Sequence, residues 1–261
     1  MKRRLPIAVP LMVLFSLPAP AEIQFRPVEY RAGDTVMEGY LAWDDAVSGP
    51  RPGVLVAHAW MGPGDYEKRR ARELAALGYA ALALDLYGKG IRPSGPEEAG
   101  KLAAAYKADR PVMRARARAA LDALAGDPLC ASQPLAAIGY CFGGTVALEL
   151  ARSGAPLAGV VSFHGGLDTP DPADARQIRG AVLVLHGADD PHVPPEQVAA
   201  FEKEMRGADV DWQLVSYGGA VHAFSDPGAG NDPSRGAAYH EKADRRSWRA
   251  LVSFLEEVLR R

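Results

Sequence analysis

The chain has 261 residues, and 48% of them are hydrophobic, which is ample for a sizeable core in one domain or two, although α/β folds of this length are often single. The formal charge is only −2 at pH 7, the basic residues form no long run, and no internal repeat or low-complexity segment interrupts the sequence. These features disfavour nucleic acid and anionic membrane surfaces as partners.

Residues 1–21 have the pattern of a signal peptide. Residues 2–4 are basic, residues 5–17 are mostly apolar, and residues 19–21 form an A-x-A cleavage site before Glu22. The apolar stretch is short and broken by proline, so an uncleaved anchor is the lesser alternative. We therefore predict an exported protein, periplasmic or secreted, with no stable membrane anchor once the signal is cleaved. Cleavage removes three basic residues and no acidic one, which takes the formal charge from −2 to about −5.

The remaining residues, 22–261, are predicted to form a single domain. An antiparallel hairpin of residues 23–30 and 35–43 opens it. Strands and helices then alternate, which predicts a mostly parallel sheet with helices on both faces and a functional site at the carboxyl ends of the strands. The further predicted strands cover residues 54–58, 79–85, 135–140, 157–163, 181–186 and 210–217. The predicted helices cover residues 65–77, 96–108, 110–125, 145–152, 195–206 and 236–259.

The most informative stretch is residues 137–144, Ala-Ile-Gly-Tyr-Cys-Phe-Gly-Gly, where an apolar run stops in small residues. It has the form of a G-x-S-x-G nucleophile elbow, in which a strand turns sharply into a helix and leaves no room for side chains two positions either side of the nucleophile. Cys141 takes the place of serine, with Gly139 and Gly143 as those neighbours. A helix N-terminus favours the thiolate. The alternative is a buried structural cysteine beside turn glycines.

A base and an acid follow Cys141 in the order that a hydrolase with this elbow requires. His222 comes after the last predicted strand, where a histidine can hold the thiol proton and later activate water. Asp189 and Asp190 both follow the strand before it, and they compete to orient the imidazole. We favour Asp190 because Pro191 holds the preceding residue extended, whereas Asp189 suits a turn.

Three motifs in order carry a resemblance to a known family: G-Y-C-F-G-G at residues 139–144, H-G-A-D-D-P-H-V-P at 186–194 and G-A-V-H-A-F at 219–224. They resemble the dienelactone hydrolase family, cysteine-dependent members of the α/β-hydrolase fold, and residues 85–90 and 243–248 extend the likeness. The resemblance implies an α/β-hydrolase fold. It also implies a triad that cleaves carboxylic esters or lactones through a thioester, with a small molecule as substrate. We expect a monomer that needs no cofactor.

The hydrolase pattern and the resemblance also nominate further site residues. Two backbone N–H groups are expected to bind the oxyanion, those of Phe142 and of Trp60 in the loop after the first inner strand. The Trp60 side chain is expected to wall the acyl pocket, with simple packing as the alternative. The S-F-H-G-G context of His164 suggests a second wall by resemblance. The family pattern G-x-x-D-x-x-V falls on residues 187–193 and supports Asp190 as the acid.

The chain departs from the family pattern at three positions. The type enzyme places a glutamate that contacts the resting thiol after the first inner strand, and this chain has Ala59 there. The same enzyme binds a substrate carboxylate with two arginines, and Lys89 stands at one of these positions and Asp226 at the other. An acid in place of an arginine inverts the local field, which predicts that Asp226 disfavours anionic substrates, dienelactone included.

Several other conspicuous side chains are assigned no chemistry. Arg114, Arg116 and Arg118 alternate in one predicted helix, and we interpret them as a solvated face and as partners of helix ends. His58 and His186 each end a strand and are expected to be satisfied by backbone hydrogen bonds. No metal site is predicted, because the sequence has neither an H-x-x-x-H nor a C-x-x-C pair.

Cys130 and Cys141 are not expected to form a disulfide, despite the predicted export. The strand between them spans roughly 20 Å at ~3.3 Å per residue, whereas a disulfide needs Cα atoms about 4.4 to 6.8 Å apart. Four alternatives to an esterase stay open: a thioesterase or a peptidase on the same triad, a non-catalytic binding protein of the same fold, and a redox thiol. The intact order of the triad disfavours the binding protein, and the absence of a resolving cysteine disfavours redox work.

Overall fold

The structure is a computed structural model that describes residues 22–259, so the predicted signal peptide lies outside the described residues. Its strands are β1 (Ile23–Ala32), β2 (Thr35–Asp44), β3 (Gly53–Ala57), β4 (Ala80–Ala83), β5 (Leu135–Tyr140), β6 (Gly159–Phe163), β7 (Ala181–Gly187) and β8 (Trp212–Tyr217). Its α-helices are α1 (Asp65–Ala76), α2 (Pro96–Ala108), α3 (Arg110–Ala125), α4 (Phe142–Arg152), α5 (Pro195–Gly207) and α6 (Glu241–Leu259). In this part of the chain no helix is both long enough and apolar enough to cross a bilayer.

The strands of residues 22–259 form one sheet in the order β1-β2-β4-β3-β5-β6-β7-β8. The hairpin β1–β2 is antiparallel, and β2 also pairs antiparallel with β4. All pairs from β4 through β3 to β8 are parallel. The prediction of a mostly parallel sheet with an N-terminal antiparallel hairpin is therefore confirmed.

Two apolar cores cover the two faces of this sheet. In the buried strand β3, Val54 and Val56 join one core, and Leu55 and Ala57 join the other, because successive side chains of a strand point to opposite faces. Helices α1 and α6 contribute to the first core, and α3, α4 and α5 to the second. Strands that are buried on both faces need apolar residues throughout, which explains their continuous hydrophobic runs.

The parallel strands bring five separate loops together. Because the carboxyl ends of parallel strands meet at the same edge, the segments that follow β3, β5, β6, β7 and β8 lie near one another. These segments carry the residues singled out from the sequence: Trp60, Cys141, His164, Asp190 and His222.

The last helix differs from its prediction. It begins at Glu241 and not at residue 236. The residues before it run beside the loop that holds His222, whose N–H donates to the Gly236 carbonyl at 3.2 Å and whose carbonyl accepts from Ala238 N–H at 3.0 Å. Gly236 has a φ of 78°, in the left-handed region that glycine tolerates. Long-range pairing with the His222 loop thus replaces the helix that local preference predicts.

The interpretation of the alternating arginines of α3 as a solvated face is wrong for two of the three. Arg114 pairs at 2.7 Å with Glu149, whose side chain is fully buried in α4. Arg116 donates at 2.9 Å to the carbonyl of Leu86, in the loop after β4. Only Arg118 behaves as predicted, since it is exposed and pairs within its own helix. Arg114 and Arg116 therefore hold α3 against neighbouring elements, a role that their helical spacing alone does not show.

Candidate active site

Cys141 occupies a strained turn between β5 and α4. Its φ of 56° and ψ of −118° lie outside the regions that most residues adopt. A Cβ atom on Gly139 would stand 1.9 Å from the carbonyl oxygen of Gly143, and one on Gly143 would stand 2.2 Å from the carbonyl oxygen of Ala57. Only glycine fits at either position, as the elbow pattern predicts.

A continuous hydrogen-bonded chain joins a thiol, an imidazole and a carboxylate. The Nε2 atom of His222 lies 3.0 Å from Sγ of Cys141, and its Nδ1 atom lies 2.8 Å from Oδ2 of Asp190. The carboxylate is fully buried, whereas 14% of the imidazole is exposed. A base so oriented, with one nitrogen on the thiol and the other on an acid, is the arrangement that activates a nucleophile.

The surroundings of Cys141 and His222 favour a charged pair over a neutral one. Burial alone would raise the pKa of the Cys141 thiol, but the hydrogen bond and the charge of His222 outweigh it, and the pKa lies below its ordinary value. The Phe142 N–H and the charge of Lys107 act in the same direction. Burial would lower the pKa of His222, but hydrogen bonds to Asp190 and Cys141 outweigh it and raise this pKa. Both shifts favour a thiolate beside an imidazolium.

The two competing aspartates have different contacts. Asp190 binds His222 through Oδ2, and its Oδ1 accepts the N–H of His192 at 2.8 Å. Asp189 is exposed, and its carboxylate accepts the N–H of Gly219 at 2.9 Å. The structure therefore places Asp190 against the imidazole and Asp189 in the turn, as we expected from the proline that follows.

His164 lies behind the elbow and contacts it directly. Its Nδ1 accepts the N–H of Cys141 at 3.2 Å, and that N–H also donates to the Phe163 carbonyl at 3.0 Å. Its Nε2 lies 2.8 Å from Oγ of Ser225, in the loop that carries His222. Burial holds the pKa of His164 well below its usual range, so Nδ1 stays free to accept. The predicted wall residue thus borders the cavity with both ring nitrogens already engaged.

A cavity of about 730 Å³ opens above the thiol. Trp60 and Met61 lie at its edge, 38% and 41% exposed. Its lining is mostly apolar, and the charged side chains among the described lining residues are Lys107 and Asp226. The other lining residues include Ala59, Tyr66, Ala103, Tyr140, Phe142, His164, His192, Val193, Ala223 and Ala229. Trp60, His164 and Asp226 therefore border the cavity, as the sequence predicts.

Residues 37–259 match the sequence model of the dienelactone hydrolase family. The chain belongs to this family. Among solved structures it is similar to m3DLH, with 46% identity, a TM-score of 0.87, and coverage of 91% of this chain and 99% of that protein. It is 45% identical to a dienelactone hydrolase-like promiscuous phosphotriesterase from metagenomic libraries, with a TM-score of 0.86 and coverage of 90% and 98%. A dienelactone hydrolase of Anabaena variabilis is 25% identical, with a TM-score of 0.62 and coverage of 79% and 91%.

Family membership makes the chain an ester or lactone hydrolase, and the structure then shows where its pocket departs from the resemblance. Lys89 does not border the cavity, so its prediction as a substrate-binding residue is wrong. Its ammonium group pairs with Glu29 and with Glu38, the latter at 2.9 Å, on the antiparallel hairpin. Among residues 22–259, the cation that borders the cavity is Lys107, near the end of α2, which the sequence motifs do not mark. No ion pair joins Lys107 to another residue between 22 and 259.

Another carboxylate lies next to the position where the type enzyme has its glutamate. Ala59 is at that position, and its N–H donates at 3.1 Å to Oε1 of Glu67, in the first turn of α1. The Glu67 side chain is buried, with 3% of the residue exposed. Sequence reasoning missed this residue, although a glutamate three positions after Gly64 fits a helix-capping pattern.

The two cysteines are both free, which confirms the prediction that they form no disulfide. Cys130 lies in a short 3-10 helix before β5 and is 1% exposed, and burial raises its pKa to about 12. It is therefore an inert thiol, in contrast to Cys141. Across residues 22–259, no group of three or more His, Cys, Asp and Glu side chains is arranged to hold a metal ion.

Proposed function

We propose that this hydrolase cleaves carboxylic esters or lactones through a thioester on Cys141, with His222 as general base and acid and Asp190 as the group that orients it. The supporting observation is the continuous chain of contacts from thiol to imidazole to buried carboxylate, at 3.0 and 2.8 Å. The two pKa shifts add to it, because they favour the thiolate before substrate arrives.

The reaction then needs two acyl transfers. In the first, the Cys141 sulfur attacks the carbonyl carbon, and the carbonyl π electrons move to oxygen. When the tetrahedral intermediate collapses, the C–O bond to the leaving group breaks, and the His222 imidazolium gives its proton to the departing alkoxide. In the second, His222 takes a proton from water as that water attacks the thioester. Collapse of this second intermediate breaks the C–S bond, releases the carboxylic acid and restores the Cys141 thiolate beside the His222 imidazolium. Asp190 stabilises the imidazolium throughout.

The oxyanion of each intermediate is assigned to two backbone N–H groups, those of Phe142 and Trp60. Phe142 is the first residue of α4, and its N–H already interacts with the Cys141 sulfur. Trp60 follows β3 and borders the same cavity. Donors fixed in the backbone are effective in such a site, because they need no reorganisation when charge develops.

The proposal is tested by replacing the thiol. Cys141→Ala should lose up to about 10⁶ in kcat toward a panel of small esters, lactones and thioesters, while its circular dichroism stays native. Cys130→Ala is the matched control, because it removes a buried thiol away from the cavity, and its activity should stay within twofold of the parent. If Cys141→Ala kept activity within tenfold of the parent, Cys141 would be ruled out as the nucleophile. A parent that is folded but inactive would instead favour a binding protein.

A phosphotriester is the second candidate substrate class. The observation that favours it is the 45% identity to a relative named a promiscuous phosphotriesterase. The panel should therefore include a neutral phosphotriester. Turnover that Cys141→Ala abolishes would place this activity in the same site, and the absence of any turnover by the parent would remove the candidate.

We also propose that the mature protein is exported and works as a monomer. The basic, apolar and A-x-A pattern of residues 1–21 supports export. Expression of the full-length chain in a bacterial host, followed by fractionation and N-terminal sequencing, should find the mature protein outside the cytoplasm and starting near Glu22. A full-length protein in the cytoplasm would contradict export, and light scattering at twice the monomer mass would contradict the monomer.

A further inference from the structure

The loop after β3 holds the peptide group that joins Ala59 to Trp60. Because a peptide is planar and trans, the Ala59 carbonyl and the Trp60 N–H point in opposite directions. The carbonyl accepts two hydrogen bonds, at 2.6 Å from Nδ1 of His58 and at 3.1 Å from the N–H of Gly62. Whatever fixes the direction of this carbonyl therefore also fixes the direction of the Trp60 N–H.

The His58 ring is held in one orientation and one tautomer. Its Nε2 accepts the N–H of Leu86 at 3.1 Å, so the ring proton is on Nδ1, where it donates to the Ala59 carbonyl. The residue is 1% exposed, and its ring makes an edge contact with the ring of Tyr87 at 4.7 Å. Burial lowers the pKa of His58 to about 4, which preserves this neutral tautomer at physiological pH.

Glu67 fixes the preceding peptide group. Its Oε1 accepts the N–H of Ala59 at 3.1 Å, while its Oε2 accepts the N–H of Gly64 at 2.9 Å. The bond to Gly64 is an ordinary helix cap for α1. The bond to Ala59 reaches eight residues back and caps nothing, but it bridges the two ends of the loop.

Ala59 is thus bonded on both sides, its N–H to Glu67 and its carbonyl to His58. Since φ and ψ are the only soft torsions of the residue, fixing both peptide planes fixes its conformation. We propose that His58 and Glu67 are positioning residues that aim the Trp60 N–H at the oxyanion. This inference rests on the proposed function. It differs from the thiol contact of the type enzyme's glutamate, because Glu67 binds backbone N–H groups and not the thiol.

Substitutions that break one bond at a time test the proposal. Glu67→Gln is isosteric and keeps one carbonyl oxygen, so it can accept only one of the two N–H groups. Glu67→Ala removes both acceptors. His58→Leu removes the donor to the Ala59 carbonyl, and His58→Asn retains a donor near the same place. The control is Glu98→Ala, because Glu98 is also a glutamate in the first turn of its helix, α2, but lies on the surface and accepts the N–H and hydroxyl of Ser94 just before that helix.

We expect a loss in kcat of about 10-fold for Glu67→Gln and about 100-fold for Glu67→Ala and His58→Leu, with KM within threefold. His58→Asn should recover part of the loss, and Glu98→Ala should stay within twofold of the parent. A trifluoromethyl ketone analogue of the best ester gives the decisive reading. Its adduct with Cys141 places an oxyanion where the ester would, so its inhibition constant should rise in parallel with the loss in kcat.

Alkylation of Cys141 by iodoacetamide separates this effect from changes at the thiol, because alkylation develops no oxyanion. Its rate and pH dependence should be unchanged in the Glu67 and His58 variants. Unchanged ketone inhibition despite a loss in kcat would overturn the proposal, and so would a parallel loss in alkylation rate or an equal loss in Glu98→Ala. Failure of the proposed function is distinguishable, since iodoacetamide would then leave the activity of the parent intact.

Discussion

Replacing Asp190 by asparagine tests the electrostatics of the active site most directly. The carboxylate is fully buried, and its 2.8 Å bond to His222 is one of the contacts that raise the imidazole pKa above its ordinary value. Asparagine has nearly the same shape and keeps an acceptor for the N–H of His192, but it carries no charge. The substitution therefore changes the field around His222 with little change in packing.

The size of the effect follows from the contact. A hydrogen bond to a charged group is worth about 1.5–3 kcal/mol, and one pKa unit corresponds to about 1.36 kcal/mol. Loss of the Asp190 charge should therefore lower the pKa of His222 by about 1–2 units. The thiol of Cys141 then has less imidazolium beside it, so its own pKa should rise. Because the thiol ionises only when the pH exceeds its pKa, this rise moves the midpoint of thiolate formation to higher pH.

The assay is the rate of iodoacetamide alkylation of Cys141 as a function of pH, together with kcat. In Asp190→Asn the alkylation midpoint should move up by about one unit, and kcat at neutral pH should fall at least 100-fold, within the ~10⁴ known for the serine triad. Asp189→Asn is the matched control, because Asp189 binds Gly219 and not the imidazole. A midpoint within 0.3 units of the parent, or an equal shift in the control, would refute the assignment of Asp190.

Two further predictions concern specificity and stability. Asp226→Arg reverses a charge that borders the cavity, and a unit pair at about 4 Å is worth up to ~4 kcal/mol before screening, so kcat/KM for an anionic relative to a matched neutral ester should rise at least tenfold at low salt. An unchanged ratio would show that Asp226 does not face the substrate. Arg152→Leu leaves buried Glu149 and Glu204 without their shared partner, so denaturant unfolding should show a loss of about 3–5 kcal/mol. Arg118→Ala, in an exposed pair, should lose less than about 1 kcal/mol, and an equal loss in both variants would contradict the reasoning.

The elements that the sequence predicts well are those fixed by local geometry. The helices Pro96–Ala108 and Arg110–Ala125 and the strand Leu135–Tyr140 have the predicted bounds, because their starts and ends coincide with proline, glycine or a change of periodicity. The elbow is predictable for the same reason, since the clash that Gly139 and Gly143 avoid arises within one short turn.

The errors arise where the partner lies far away in the sequence. Lys89 stands at a family binding position, but the hairpin brings Glu29 and Glu38 beside it, and these carboxylates hold the ammonium group away from the cavity. A motif comparison cannot show this, because the pairing depends on the register between the hairpin and β4. The missed Lys107 is the converse case: it lies in a helix without any motif, and only the packing of α2 places it at the cavity.

Three carboxylates near the thiol have separate roles because their burial and partners differ. Asp190 is buried against an imidazole, so its charge acts on the proton of His222. Glu67 is buried against two backbone N–H groups. We therefore expect its loss to change the geometry of the loop after β3 and to leave the protonation of Cys141 and His222 unchanged. Asp226 is half-buried and borders the cavity, so we expect its charge to act on a bound substrate. Substitutions at the three should therefore separate experimentally: the first moves the pH dependence, the second lowers kcat at constant thiol reactivity, and the third changes the preference between substrates.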